Sequence, residues 1–291
     1  MINVTGCQPL EENLSVTPVP QTIALTGAAG MMATFLRPFL TDAGYTVRLI
    51  DLAETHDLRP LESQRIGSVS DAEFMNSALA GVSAVIHLGG LHREKTWGEL
   101  VATNITGTQV TLEAARINGV GRVLLASSTH AVGFHPSEAA GLETVLPPRP
   151  DTYYGVSKVA MEALGSLYAD KFGMKIVSAR IGTGGDRPNS ARTLASWLSP
   201  ADSFRLVEAT LNDLGAPGHH VVWAVSANSR GWADLSAGHR IGFDPVDDAE
   251  AFAAGIDSQT GREPCDRLLG GVWASSAHRI GVDNYPHLAA K

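Results

Sequence analysis

Short apolar runs alternate with longer amphipathic segments along the first two thirds of this chain. The runs whose residues favour strands lie at 22–26, 45–50, near 65–66, 83–88, 122–126 and 175–179. Segments with apolar residues at helical spacing lie at 34–44, 71–80 and 97–117, and a further one ends at Phe172. Strands that alternate with helices predict a doubly wound α/β fold, in which crossover helices join parallel strands.

This alternation of strands and helices covers residues 21–190, and the segments before and after it do not follow it. Residues 1–20 lack the basic start and the apolar core of a secretory signal, so we expect a loose extension and a cytoplasmic protein. Residues 191–291 contain one long helix, one clear strand and much loop. We expect them to form a small substrate-binding portion of the same globule, next to a ligand-binding domain at 21–190.

Composition excludes several functional classes. The chain has 291 residues, of which 44% are apolar and 18% are charged, and no apolar run is long enough to span a membrane. Its net charge of −8 argues against a nucleic-acid surface. His219 and His220 are adjacent and point to opposite sides, and no His-Glu-x-x-His pattern occurs. We therefore predict no metal site, no nucleic-acid partner and no membrane partner.

A glycine-rich turn follows the first predicted strand. Gly27 and Gly30 lie in the pattern Gly-x-x-Gly-x-x-Ala, and an amphipathic segment begins directly after them. Glycines allow backbone N–H groups to approach a phosphate closely, and the start of a helix offers unpaired donors. The turn predicts a Rossmann-type site in which Gly27, Gly30, Met31 and Met32 contact the pyrophosphate of a dinucleotide.

The second predicted strand ends in Asp51, next to Leu52. A carboxylate at this place can accept hydrogen bonds from both ribose hydroxyls, and it repels a 2′-phosphate. Arg48 points to the other side of the strand and does not offset that repulsion. Asp51 therefore predicts NAD rather than NADP, and the alternative is a carboxylate that only caps a turn.

Tyr154 and Lys158 are four residues apart and share one face of a predicted helix. A cation close to a phenol favours the phenolate and lowers its pKa, which would make the tyrosine a general base for an alcohol. The alternative is an unrelated pair on a solvated helix face. Polar clusters at 89–92, 127–130 and 180–183 follow three strands, and the carboxyl ends of parallel strands form the ligand edge of such a sheet.

The motifs TGAAG, HLGG, LLASS and YGVSK, together with Asp51 and Asn104, resemble those of the extended short-chain dehydrogenase/reductases. The resemblance implies that Tyr154 is the catalytic acid/base and that Lys158 lowers its pKa and holds the nicotinamide ribose. It also implies that Ser128 positions the substrate hydroxyl and that Asn104 holds a backbone carbonyl. Further cofactor contacts implied by the resemblance are Ser68, Val69, Leu88, Gly89, Gly90, Leu91 and Thr183.

The C-terminal segments RIGTGGDRPNSARTLASWLSPAD, VVWAVSANSRGWAD and DPVDDAEAF resemble those of NAD-dependent uronate dehydrogenases, which oxidise C1 of galacturonic or glucuronic acid to an aldaric acid lactone. Arg192 suits the sugar carboxylate, because its planar fork can bind two oxygens, and the alternative is a surface ion pair. The substrate contacts implied by the resemblance are His92, Ser128, Thr129, His130 and Arg192.

This chain departs from the uronate dehydrogenase pattern at three positions. Thr129 replaces an asparagine and His92 replaces a serine, which alters the substrate end of the site. Ser68 replaces an aspartate that contacts adenine. Trp273 either closes over the site or belongs to the core.

Two other kinds of protein would use the same cofactor-binding residues. A nucleotide-sugar epimerase or dehydratase would need a larger C-terminal portion than residues 191–291 supply. A non-enzymatic, dinucleotide-sensing regulator would have no need for Ser128, Tyr154 and Lys158 together. The resemblance also implies a homo-oligomer.

Overall fold

The structure, a computed structural model, describes residues 22–142, 145–213, 215–256 and 264–281. The extension predicted at residues 1–20 lies outside the described residues.

The main sheet confirms the predicted Rossmann-type, doubly wound fold. In the described ranges its seven strands are β1 (Thr22–Thr26), β2 (Thr46–Asp51), β3 (Glu62–Ile66), β4 (Ala84–His87), β5 (Arg122–Ser128), β6 (Lys175–Ile181) and β9 (Gly218–Ala224). Their order in the sheet is β3-β2-β1-β4-β5-β6-β9, and every neighbouring pair is parallel. A separate pair is formed by β7 (Thr183–Gly184) and β8 (Trp197–Leu198).

Helices cover both faces of this sheet. They are α1 (Met31–Asp42), α2 (Ala72–Ala78), α3 (Trp97–Leu100), α4 (Gly107–Ile117), α5 (Tyr153–Phe172), α6 (Ala191–Ser196), α7 (Pro200–Asn212) and α8 (Ser236–Arg240). Side chains of one strand alternate between two cores, because successive residues point to opposite faces. Ile23 and Leu25 pack with α1 and α7, whereas Ala24 packs with α2, α4 and α5. No helix in the described ranges has the length and apolarity needed to cross a membrane.

The predicted helix at 97–117 is not continuous. A π-helical segment, Val101–Thr106, separates α3 from α4 and contains the buried Asn104. Single π turns widen a helix and are frequent at functional sites, because they redirect a side chain without ending the helix. The apolar periodicity of residues 97–117 predicted one helix and did not reveal this turn.

Two strands run further than predicted at the ligand edge. β5 continues to Ser128 and β6 to Ile181, because these two strands pair with each other along their whole length. Ser127 and Ser128 are therefore held in the sheet rather than in a loop. β9 pairs with β6, so that a strand of the C-terminal portion extends the same sheet.

Candidate active site

A cleft of about 740 Å³ lies along the carboxyl ends of the central strands. It joins the glycine-rich turn at one end to Tyr154 and Lys158 at the other. The predicted site residues that line it are Gly27, Gly30, Met31, Met32, Asp51, Leu52, Ser68, Val69, Leu88, Gly89, Gly90, Leu91, His92, Ser128, His130, Tyr154 and Lys158. The structure thus brings both predicted halves of the site into one cavity.

The glycine-rich turn packs directly against the end of β4. Gly27 has a φ of 70°, and a Cβ atom there would lie 2.8 Å from the amide nitrogen of Gly89 and from the carbonyl oxygen of Leu88. Gly30 is the N-cap of α1 and supplies no side-chain cap to the first turn. The backbone amides at this helix start are therefore suited to a phosphate group, as the sequence predicted.

Asp51 lies opposite this turn. Its Oδ2 accepts a hydrogen bond from the amide of Ala29 at 3.0 Å, and its Oδ1 accepts one from the amide of Ala53 at 3.0 Å. These bonds fix the carboxylate next to the turn while it still lines the cleft. A ribose that follows a phosphate bound at the turn would lie within its reach.

Tyr154 lies near the start of α5 and is 7% exposed. Glu94, itself buried, accepts a hydrogen bond from the Tyr154 amide at 2.8 Å, and Thr152 caps the same helix. Burial raises the pKa of Tyr154 to about 12, the charge of Asp151 also raises it, and a hydrogen bond with Ser128 lowers it. Desolvation of the phenolate is the largest effect on this pKa, and the expected lowering by Lys158 stays a prediction.

Lys158 is also buried at the cleft. Its ammonium group donates a hydrogen bond to the carbonyl oxygen of Ala126 at 2.7 Å. Burial lowers its pKa to about 8, while the charge of Glu162 raises it. Glu162 is held by a bidentate ion pair with Arg180, with bonds of 2.9 and 2.8 Å. This buried pair positions a negative charge one turn behind Lys158.

Asn104 connects the cleft to the helix that carries Tyr154. Its Oδ1 accepts from the amide of Leu91 at 2.7 Å, and its Nδ2 donates to the Leu91 carbonyl at 3.0 Å and to Ser157 Oγ at 2.9 Å. Ser157 in turn donates to the carbonyl of Tyr154 at 2.7 Å. The π-helical turn places Asn104 where it can hold the cleft loop and α5 in one arrangement.

Aromatic rings enclose the substrate end of the cleft. The ring of Trp273 stacks on His130 with 4.3 Å between centroids and lies 5.9 Å from the ring of Tyr154. His278 also stacks on Trp273, with 5.3 Å between the ring centroids. Trp273 lines the cleft and is half-buried, so it covers the site rather than filling the core.

His92 has a partner that the sequence did not indicate. Its Nε2 accepts hydrogen bonds from the adjacent Arg93, at 3.1 Å from Nε and 2.9 Å from Nη2. Burial lowers the pKa of His92, and the charges of Arg93, Lys95 and Lys158 lower it further. His92 therefore lines the cleft next to a guanidinium group, and both its burial and the neighbouring charges oppose its protonation.

Three predicted residues are not among the described residues that line the cleft. Thr129 is buried in a 3-10 turn, and the hydroxyl of Thr183 lies 3.1 Å from that of Ser196. Arg192 Nη2 donates to the carbonyl of Leu269, which precedes the segment carrying Trp273. Burial lowers the pKa of Arg192, although Asp151 and Asp266 act against this. The ligand contacts of these three residues stay predictions.

Some residues of the cleft were not predicted from the sequence. They are Ala33, Gly67, Arg93, Thr103, Ala126 and Gly184, whereas Ser127, Ile181 and Gly182 belong to the polar clusters that were predicted at the ligand edge. Gly67 follows the strand predicted near 65–66 and Ala126 ends the one predicted at 122–126, so the strand-end rule could have identified these two. No signal in the sequence indicated Thr103, because this residue lies in the π-helical turn, which was not predicted. In the described part of the chain, no group of three or more His, Cys, Asp or Glu side chains is placed to hold a metal ion.

Comparisons with known proteins agree with this geometry. The model of the NAD dependent epimerase/dehydratase family matches residues 23–196. The uronate dehydrogenase of Pseudomonas syringae pv. tomato is 35% identical, covering 87% of this chain and 93% of that protein. The one from Agrobacterium fabrum is 38% identical, covering 85% and 93%.

Solved structures show the same similarity. The crystal structure of uronate dehydrogenase from Agrobacterium tumefaciens has a TM-score of 0.82 and 34% identity, and the match covers 89% of this chain and 98% of that chain. The glucuronic acid dehydrogenase from Chromohalobacter salexigens has a TM-score of 0.83 and 32% identity, covering 89% and 98%. The chain belongs to the NAD dependent epimerase/dehydratase family of extended short-chain dehydrogenase/reductases.

Proposed function

We propose that this protein is an NAD-dependent uronate dehydrogenase, which oxidises C1 of galacturonate or glucuronate to the aldaric acid lactone. The observation that carries the proposal is the single cleft that joins a dinucleotide-type turn to Ser128, Tyr154 and Lys158. Its overall similarity to uronate dehydrogenases over most of both chains supports the substrate class.

The residues that line the cleft offer hydrogen-bond donors and acceptors that fit NAD. The close packing at Gly27 and the uncapped start of α1 suit the pyrophosphate, and Asp51 suits the adenosine ribose. Lys158 would hold the nicotinamide ribose from the buried side of the cleft. Bound NAD would supply the hydride acceptor and a positive charge beside the phenol.

The protein's own part in the reaction is the transfer of one proton. Tyr154 as phenolate takes the proton of the anomeric hydroxyl, while Ser128 holds that hydroxyl by a second hydrogen bond. The C1–H bond breaks as a hydride departs and the C1=O bond of the lactone forms. Arg192 binds the carboxylate at C6, and Trp273 excludes water from the sugar face.

The cellular setting is part of the same proposal. We infer a cytoplasmic enzyme with a cofactor-binding domain at 21–190 and a substrate-binding portion at 191–291. We also infer a homo-oligomer, which the family resemblance implies.

A comparison of four sugars as substrates tests the proposal. Initial rates of NADH formation are measured with galacturonate, glucuronate, galactose and glucose. The proposal predicts turnover of the uronates and at least about a hundredfold lower kcat/KM for the neutral sugars, because these lack the carboxylate. NAD binding without oxidation of either uronate would contradict it and make nucleotide sugars the next substrates to test.

A further inference from the structure

Asp151 is a buried carboxylate next to the substrate end of the cleft, and the reaction described above does not use it. It is 7% exposed and immediately precedes the N-cap of α5. Its Oδ2 lies 2.8 Å from Nδ1 of His130, whose ring lines the cleft. The Asp151 side chain is thus one hydrogen bond away from the substrate pocket.

Two glycines from different parts of the chain make room for this carboxylate. A Cβ atom on Gly133 would overlap Oδ2 of Asp151, and so would a Cβ atom on Gly270. The two glycines are themselves joined, because the amide of Gly270 donates to the carbonyl of Gly133 at 2.9 Å. The C-terminal segment that carries Trp273 therefore docks around the pair formed by Asp151 and His130.

His130 is held on several sides. Trp273 stacks on its face at 4.3 Å, and the ring of Tyr154 meets it edge-on at 5.8 Å. A carboxylate only accepts hydrogen bonds, so Nδ1 of His130 must carry the hydrogen in this contact. In the neutral ring, Nε2 is then a hydrogen-bond acceptor.

We propose that Asp151 is a positioning residue that fixes the Nδ1–H tautomer of His130, so that Nε2 accepts a hydrogen bond from a hydroxyl of the sugar ring. This inference rests on the proposed uronate oxidation for the identity of the sugar. Asp151 touches neither the cleft nor the reacting atoms among the described residues, and acts through His130. The negative charge of Asp151 also acts on Arg192 and raises its pKa. One buried carboxylate thus influences both His130 and Arg192, which are predicted to bind the substrate.

The tautomer is measured first, because this measurement needs no substrate. The ¹⁵N imidazole spectrum of the whole protein is recorded for wild type, Asp151→Asn and Asp170→Asn, and the His130 signals are identified by their loss in His130→Ala. We expect the Nδ1–H form in wild type and in Asp170→Asn, whose exposed carboxylate lies at the far end of α5. We expect its loss or mixing with the Nε2–H form in Asp151→Asn. An Nε2–H form in wild type would overturn the proposal.

Kinetics then separate positioning from a structural role. Asp151→Asn removes the charge-assisted hydrogen bond to His130, so that Nε2 of His130 is no longer fixed as an acceptor for the sugar. The KM for the uronate should therefore rise at least about tenfold, while the NAD dissociation constant should change less than about twofold. In the His130→Ala background the same substitution should change KM less than about twofold. Equal effects in both backgrounds, or equal losses in NAD and uronate binding, would overturn the inference. A wild type with the expected tautomer but without uronate oxidation would instead refute the proposed substrate alone.

Discussion

The ammonium nitrogen of Lys158 lies 5.4 Å from the ring centroid of Tyr154, one helical turn away on α5. The two groups are buried together, and burial opposes the charged form of each: it raises the pKa of Tyr154 to about 12 and lowers that of Lys158 to about 8. The pair therefore favours the neutral phenol at neutral pH, and activity depends on the small population of phenolate.

This relationship predicts the pH dependence of the oxidation. The reacting form needs Tyr154 deprotonated, so kcat/KM for the uronate should rise by up to about tenfold per pH unit below about pH 8. Above the pKa of Lys158, loss of its positive charge should flatten the rise. Glu162→Gln removes the charge that raises this pKa and should move the bend to lower pH. A profile without any alkaline rise from about pH 6 to about pH 8 would contradict the assignment of Tyr154 as base.

Cofactor choice should depend on Asp51. Asp51→Ser removes a carboxylate that lies beside the glycine-rich turn and would repel a 2′-phosphate. The ratio of kcat/KM for NADP to that for NAD should rise at least about tenfold, which corresponds to ~1.4 kcal/mol. Asp71→Ser is the control, because Asp71 caps α2 and lies outside the cleft lining. An unchanged ratio in Asp51→Ser would mean that this carboxylate only caps the turn.

Arg192 should anchor the substrate carboxylate. Arg192→Lys keeps a positive charge but loses the planar fork, so the KM for the uronate should rise about 10- to 100-fold with an unchanged KM for NAD. Arg192 also donates to the carbonyl of Leu269. If the substitution lowers the melting temperature and raises both KM values together, Arg192 holds the C-terminal segment rather than the substrate.

His87 should make the fold sensitive to acid. It is fully buried between the hydroxyls of Thr26 and Thr108, and burial lowers its pKa from 6.5 to about 3. Between these values the unfolded chain binds a proton that the folded chain does not, so stability falls as the pH drops below about 6.5, by up to about 1.4 kcal/mol per unit.

Denaturant unfolding at about pH 7 and about pH 5 measures this effect. Wild type should lose about 2 kcal/mol more over this interval than His87→Asn, which has no group to protonate. The exposed His56→Asn should keep the wild-type dependence, since His87 is intact. Equal pH dependence in wild type and His87→Asn would show that protonation of His87 does not cause the loss of stability in acid.

The strand and helix order could be predicted from the sequence because apolar periodicity reports directly which face of each element is buried. The turn at Gly27 and the pair Tyr154 and Lys158 were found because their chemistry is local in the sequence. The Asp151–His130 contact and the close approach of Asp151 to Gly270 could not be found, since the C-terminal segment folds back over residues far away in the sequence. The raised pKa of Tyr154 was missed because burial depends on the complete fold, whereas spacing on a helix shows only the nearest charge.

The central claim is that Tyr154 takes the proton as uronate is oxidised with NAD. Its most direct test is the initial rate of NADH formation from galacturonate and glucuronate by wild type and by Tyr154→Phe, with the NAD dissociation constant measured for both. We predict that Tyr154→Phe binds NAD as wild type does and loses about 10²- to 10⁴-fold in kcat. A Tyr154→Phe protein that oxidises uronate within about threefold of the wild-type rate would contradict the account.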